Sequence, residues 1–260
     1  MTERGTHAPE FAPNLEAAWE MLQTQGWVLI SDKNRDLGLD PSFRPYVLKH
    51  YFNKRGLLQP ETYDVKPYDR LRARDVVKFN WRNLDEPLTE DDSTTIAPKD
   101  YSSQARTYKR TELVHDKRFN RWLEAQSMLM PGVSHHPTIE ENPIHIGVNL
   151  FRTFTDVVNS PHRDSTGFVS VFVVDKHGEG ATSELYREGS QTPFLRHPLQ
   201  PGQELVFDDT QFLHSATPLI PASDGKAHRD TIICTYDFHR WPDPAYQNIL
   251  TKLNLDTPRN

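Results

Sequence analysis

Twelve of the 260 residues are histidine, and three of these stand two positions before an acidic residue: His162–Asp164, His177–Glu179 and His228–Asp230. Two imidazoles and one carboxylate on one face of a divalent ion make a mononuclear non-haem iron(II) site, whose other face stays open to dioxygen and a co-substrate. On a β-strand, His-x-acid supplies two of the three ligands at once, because residues i and i+2 point to the same side. The third ligand then comes from a distant strand. Two of the pairs have a histidine about fifty residues on: His214 follows His162–Asp164, and His228 follows His177–Glu179.

Local context separates these two sets. His162 ends a proline-containing turn and leads into 168–174, the most strand-like run of the chain, and His214 sits inside the run 212–217. His177 lies in the glycine-containing stretch 175–180, which reads as a turn, and His228 follows the loop 222–227. Metal ligands need a rigid frame, so His162, Asp164 and His214 are the preferred set. A dicarboxylic co-substrate also needs a cation for its far end, and arginine offers a planar two-pronged donor. Arg229 is the first arginine after His214, and Thr231, two residues on, shares its face.

His162-x-Asp164, His214 and Arg229-x-Thr231 together resemble the iron(II)- and 2-oxoglutarate-dependent dioxygenases. Residues 178–186 are similar to the glycine-rich turn and strand that follow the His-x-Asp strand in many members, and 149–152 to the core strand before it. Within the family the resemblance is to the bacterial amino-acid hydroxylases typified by L-isoleucine dioxygenase, and it covers 144–241. It implies a double-stranded β-helix (jelly-roll, cupin-like) core. It also implies that His162, Asp164 and His214 hold Fe(II), while Arg229 and Thr231 hold the carboxylate of the co-substrate 2-oxoglutarate. Reaction with O2 would release succinate and CO2 and oxidise an unactivated carbon by hydroxylation, radical cyclisation or desaturation. Family halogenases replace the carboxylate ligand with glycine or alanine, so the presence of Asp164 speaks against halogenation. The Asp230 between Arg229 and Thr231 departs from expectation, as its charge has no evident partner in the sequence.

Other residues carry a bland reading beside the functional one. Arg152 reads either as a clamp for a substrate carboxylate or as a strand arginine paired with a neighbour, and Glu184 either as a holder of a substrate amine or as an exposed strand glutamate. His135 and His136 default to a surface pair in a loop. Phe168, Phe172, Phe207 and Phe212 default to core. Ten basic against four acidic residues in 44–82 could suit a nucleic-acid face. A solvated surface with one or two substrate contacts is the better reading, since the acidic stretch that follows restores the balance.

The elements that position these groups follow from pattern. Residues 1–13 read as a loose arm, Asn14 as the cap of a helix with Leu15, Ala18, Trp19 and Leu22 on one face, and Gly26 as its end. Residues 27–30 read as a buried strand, Asp40-Pro41 as the start of a second helix, and Asp116 as the start of a third that buries Phe119, Trp122 and Leu123. The stretch 85–103 lacks periodicity and reads as a long loop. After Pro143 the chain turns to short β-branched and aromatic runs: 144–154, 168–174, 184–186, 204–207, 212–217 and 231–238. The expectation is one domain, 1–260, with N-terminal helices and strand in 14–143, the β core in 144–241 and a tail in 242–260.

Composition bounds the partners. The net charge of −6 argues against general phosphate-backbone binding. The longest apolar runs, 27–30 and 171–174, fall far short of the ~18 residues of a membrane span. No secretory h-region is visible, and the single Cys234 excludes an intrachain disulfide, so a cytoplasmic protein is expected. The leading expectation is an oxygenase of a small free amino acid or its derivative. An oxygenase of nucleic acid or protein, and a non-catalytic metal-containing jelly-roll that binds a small ligand, are the alternatives.

Overall fold

The computed structural model describes residues 10–33, 40–54, 58–60, 70–79, 89–90, 110–127, 129, 144–154, 160–164 and 166–237. Its helices are α1 (Leu15–Gln25), α2 (Phe43–Val47, continued by a π turn over Leu48–Phe52) and α3 (Lys117–Ser127). The first strands are β1 (Trp27–Ser31), β2 (Gln59–Pro60), β3 (Arg70–Phe79) and β4 (Thr89–Glu90). The core follows: β5 (Ile144–Thr153), β6 (Phe168–His177), β7 (Glu179–Gly180), β8 (Ser183–Arg187), β9 (Leu195–His197), β10 (Gln203–Asp208), β11 (Phe212–Ala216), β12 (Leu219–Ile220) and β13 (His228–Asp237). Residues 1–9, most of 85–103, His135, His136 and the tail 242–260 lie outside the described residues.

The helix ends obey local chemistry. The Asn14 side chain accepts from the Ala17 amide at 2.8 Å, and Gly26 adopts φ 78°, a left-handed end that costs glycine no Cβ clash. Asp116 caps α3 by accepting from the Arg118 amide at 2.8 Å. In each helix the spaced apolar positions face the sheet. Trp122 lies 5.6 Å from Phe172 between ring centroids and 5.9 Å from Phe43, which ties α2 and α3 to β6.

An eight-stranded antiparallel sheet runs β1-β10-β6-β13-β5-β3-β2, with β4 paired to β3. A second sheet, β11-β8-β9, and the pair β12-β7 complete a jelly-roll. Period-two alternation gives the large sheet two apolar faces. Ile30, Ile146, Leu150, Phe172, Val206 and Ile232 pack under the helices. Leu29, Val169, Val173, Leu205 and Phe207 face inward and meet Leu185, Leu195 and Phe212 of the second sheet.

Four features depart from expectation. The sequence from 44 to 82 contains β3, ten residues long, which extends the large sheet beside β5 instead of forming a solvated surface. Within 85–103, Thr89–Glu90 pairs with Val77 and Lys78 of β3. Phe11 and Ala12 of the expected loose arm lie along β1, where the Ala12 amide donates to the Leu29 carbonyl at 2.9 Å. Strand β6 runs on to His177, because His228 at the start of β13 pairs with it across the sheet. No helix among the described residues is long and apolar enough to cross a membrane.

Candidate active site

His162 and His214 form an antiparallel backbone pair. The His214 amide donates to the His162 carbonyl at 2.8 Å, and the His162 amide to the His214 carbonyl at 3.1 Å. Residues paired in this way send their side chains to the same face, and the two rings sit 4.4 Å apart between centroids. Asp164, two residues on, joins them: its carboxylate oxygens lie 3.7 Å from His162 Nε2 and 3.9 Å from His214 Nε2. These separations are too long for hydrogen bonds. One ligand atom from each of the three residues lies within 4.8 Å of the others. Three lone-pair donors that converge without bonding one another match the two-histidine, one-carboxylate set that iron(II) takes.

The surroundings orient the rings. His162 Nδ1 lies 2.9 Å from the Ser160 carbonyl, so it carries the proton and leaves Nε2 to bind. His214 Nδ1 lies 3.4 Å from the fully buried carboxylate of Asp209. Burial alone would lower the pKa of His214, but the Asp209 and Asp164 carboxylates outweigh it and the net direction is up. Asp209 also accepts from the amides of Asp164 at 3.2 Å and Thr166 at 3.0 Å. One buried carboxylate therefore anchors the His-x-Asp turn and faces the distant histidine. Sequence reasoning missed it, because an acid in the turn before β11 carries no distinguishing spacing.

Arg229 and Thr231 alternate along β13 on the inward face. Arg229 Nη2 lies 3.4 Å from Ser183 Oγ on β8, two residues along the same face from Leu185, the cross-strand partner of His214. Its Nε is shielded from solvent and has no hydrogen-bond partner among the described residues. Burial alone draws the pKa of this guanidinium down to about 10. Its cross-strand neighbour on β6 is Lys176, whose pKa is lowered first by burial and then by the Arg229 charge, and whose Nζ donates to the Gly180 carbonyl at 2.7 Å. Two half-buried cations thus stand side by side, with the Glu179 charge near Lys176 alone. A carboxylate facing Arg229, in reach of the Thr231 hydroxyl, would balance Arg229, so the pocket suits the far end of 2-oxoglutarate.

The two remaining sequence candidates stand elsewhere. Arg152 sits on the helix-covered face, stacked over the Phe52 ring at 5.9 Å. Its Nε and Nη2 donate to the two oxygens of Asp230 at 2.7 and 2.6 Å, which also supplies the partner that Asp230 lacked in the sequence. Glu184 alternates with the inward-facing Ser183 and Leu185, so it faces away from the interior. There it accepts from Arg196 at 2.9 Å, Tyr186 at 2.7 Å and Ser215 at 3.1 Å. The structure brings neither to the triad. The set passed over at first, His177 and His228, also leaves the interior: His177 meets the exposed Asp224 at 3.0 Å and His228 meets Asp175 at 3.0 Å. Asp175, His228 and Asp230 do cluster, but the fork of Arg152 already occupies Asp230.

Three solved structures share the fold. A bsmA homolog from Methylobium petroleophilum PM1 is 22% identical, with 90% of this chain and 97% of that one covered at a TM-score of 0.72. IDO from Bacillus thuringiensis is 15% identical, with 87% and 100% covered at 0.68. The Fe(II)/α-ketoglutarate-dependent dioxygenase TqaL is 13% identical, with 86% of each chain covered at 0.62. No curated protein sequence matches the chain. The sequence profile of the 2OG-Fe dioxygenases matches residues 64–235, a span that takes in the triad, Arg229 and Thr231. With more than half of its length so matched, the chain belongs to the 2OG-Fe dioxygenase family, enzymes that work with Fe(II), 2-oxoglutarate and O2.

Proposed function

We propose that His162, Asp164 and His214 hold the iron, that Arg229 and Thr231 hold the far carboxylate of 2-oxoglutarate, and that the substrate is a small free amino acid or its derivative. The observation that supports this most is the pairing of two groups across one interior. A convergent triad and a largely desolvated guanidinium, without an acidic partner among the described residues, face the same interior. When bound, iron(II) and 2-oxoglutarate supply oxidative decarboxylation with O2 to succinate and CO2, together with the power to break an unactivated C–H bond.

The chain's own residues prepare that chemistry. The Ser160 carbonyl holds the His162 ring, and the Asp209 carboxylate, 3.4 Å from His214 Nδ1, faces the second ring, so both present Nε2 toward Asp164. The Arg229 fork and the Thr231 hydroxyl fix the co-substrate in one orientation. Phe207, 5.0 Å from the His214 ring between centroids, and the inward valines keep water from the reacting groups. Membership of an enzyme family sets aside the non-catalytic reading. The net charge of −6 and the resemblance to bacterial amino-acid hydroxylases favour a small substrate over nucleic acid or protein. Screening free amino acids for succinate release with Fe(II) and 2-oxoglutarate tests the substrate class. Stimulation by at least one amino acid is expected, and stimulation only by peptide or oligonucleotide would overturn it.

A further inference from the structure

Strands β3, β5, β13 and β6 lie side by side, so their inward side chains stand in rows across the sheet. One row runs Arg70, Thr153, Arg229, Lys176, and the next Arg72, Phe151, Thr231, Val173. The third runs Arg74, Asn149, Ile233, Val171. The first two rows carry Arg229 and Thr231, the residues proposed above for the far carboxylate of 2-oxoglutarate. The third lies two residues further along each strand, about 7 Å from the Thr231 row. An extended five-carbon dicarboxylate covers that span.

The third row differs from its surroundings. Ile233 and Val171 are half-buried, whereas Val169 and Val173, the inward neighbours of Val171 on β6, are buried. Open apolar surface on β6 and β13 is therefore found at this row. Asn149 borders it and is itself only 3% exposed. Arg72 Nη2 donates to Asn149 Oδ1 at 2.8 Å, and the Arg72 guanidinium stacks 4.4 Å from the centre of the Phe151 ring. Arginine can only donate, so this bond decides which way the amide is turned: Oδ1 faces Arg72 and Nδ2 faces β13. There Nδ2 lies 3.4 Å from the Ile233 carbonyl, a long contact that uses at most one of its two N–H groups. A buried donor left unused is costly. A ligand lying on Ile233 and Val171 would take it.

We propose that Asn149, turned by Arg72, donates to the 2-oxo-acid end of 2-oxoglutarate, and that the row of Asn149, Ile233 and Val171 thereby sets the chain length of the co-substrate. This rests on the function proposed above. Arg72 is a positioning residue, since its guanidinium is spent on Asn149 and Phe151. With the far carboxylate at Arg229 and Thr231, a five-carbon chain brings its 2-oxo-acid end to Asn149. A six-carbon chain has to bulge against Ile233.

The test uses the whole protein with Fe(II) under anaerobic conditions and reads the charge-transfer absorbance of the chelated 2-oxo acid, both for affinity and for band position. The wild type should bind 2-oxoglutarate more tightly than its six-carbon homologue 2-oxoadipate. Asn149→Leu should weaken 2-oxoglutarate by about 10- to 100-fold, as expected for one hydrogen bond to a charged group. It should also move the band, because a donor to the chelating end is withdrawn. Asn149→Asp keeps an acceptor for Arg72, and so protects the fold, but offers no N–H; it should lose at least as much. Arg72→Met keeps the packing on Phe151 without the bond to Asn149 and should move the band the same way with a smaller loss. Arg72→Lys should restore part of both. Ile233→Ala should narrow the preference for 2-oxoglutarate over 2-oxoadipate. Unchanged affinity in Asn149→Leu or Asn149→Asp overturns the proposal, and so does a loss of affinity with the band unmoved, which reports packing alone. If Asn149→Leu leaves 2-oxoglutarate as it was but abolishes the response of the band to added amino acids, Asn149 serves the primary substrate and the proposal falls. A wild type that gives no band removes the function proposed above and this inference with it. A normal wild-type band beside unchanged variants removes this inference alone.

Discussion

Arg152 and Asp230 form a two-pronged ion pair at 2.6 and 2.7 Å on the helix-covered face of the large sheet, directly behind the inward-facing Arg229 and Thr231. Asp230 is fully buried there and β6 slips by one residue beside it, between Asp230 and Thr231. The pair secures, from the other face, the strand that carries Arg229 and Thr231, the residues proposed to hold the co-substrate. Removing one partner of a buried pair leaves an uncompensated charge, at a cost of about 3–5 kcal/mol. Arg152→Ala should therefore lower urea stability by roughly that amount, while 2-oxoglutarate affinity of the folded fraction stays unchanged. Loss of affinity without loss of stability would return Arg152 to the site.

Iron binding should follow the convergent triad. His162→Ala, Asp164→Ala and His214→Ala should each lose most of the one iron(II) expected per chain, since two ligands hold a labile ion poorly. His177→Ala and His228→Ala should keep it, because their imidazoles pair with Asp224 and Asp175 away from the interior. Anaerobic metal analysis of the five variants decides between the sets.

Asp209 is placed to act as a positioning residue for the proposed metal site. Its carboxylate lies 3.4 Å from His214 Nδ1 and accepts from the Asp164 amide at 3.2 Å. Supporting groups of this kind typically contribute about 10- to 100-fold in metal affinity. Asp209→Asn should show a loss in that range by competition with a chelator. A metal affinity equal to the wild type would contradict the role.

Glu204 offers a pH test on the other side of the sheet. It is fully buried, accepts from Gln126 at 3.0 Å and from Ser170, and its carboxyl is pushed up to about 7, chiefly by burial. A folded-state pKa above the ordinary 4.5 favours the protonated form, so the stabilisation is complete below about 4.5 and is lost as pH rises toward 7. The shift corresponds to about 3 kcal/mol. Glu204→Gln keeps a neutral hydrogen-bonding group and should gain on the wild type by about 2–3 kcal/mol between pH 5 and pH 8. Urea midpoints at both pH values measure it, and parallel pH profiles of the two proteins would contradict it.

The convergence of His162, Asp164 and His214 and the shared face of Arg229 and Thr231 were legible because their spacing is a consequence of strand geometry: i and i+2 share a face, and His-x-Asp and Arg-x-Thr state that directly. The capped helices were legible for the same local reason, with Asn14, Gly26 and Asp116 acting on their own neighbours. Strand β3 was not, because arginine at every second position looks solvated until β5 supplies Asn149 and Phe151 beside it. Asp209 was hidden likewise: its partners His214, Asp164 and Thr166 converge only after the turn before β11 meets the loop before β6. Arg152 and Glu184 each kept two readings because residue type says nothing of which face of a strand is inward; the pairing of Arg152 with Asp230 matches the strand-arginine reading.

The most direct test of the account is an anaerobic titration of 2-oxoglutarate into the Fe(II) protein, followed by the charge-transfer absorbance, for wild type and Arg229→Ala. Without the guanidinium, the far carboxylate enters a desolvated pocket lacking its counter-charge, and loss of one side of such a pair typically costs about 2–5 kcal/mol. The account predicts an affinity lower by about 30-fold or more, with iron still bound and Arg229→Lys recovering part of the loss. Superimposable titration curves for wild type and Arg229→Ala would contradict it.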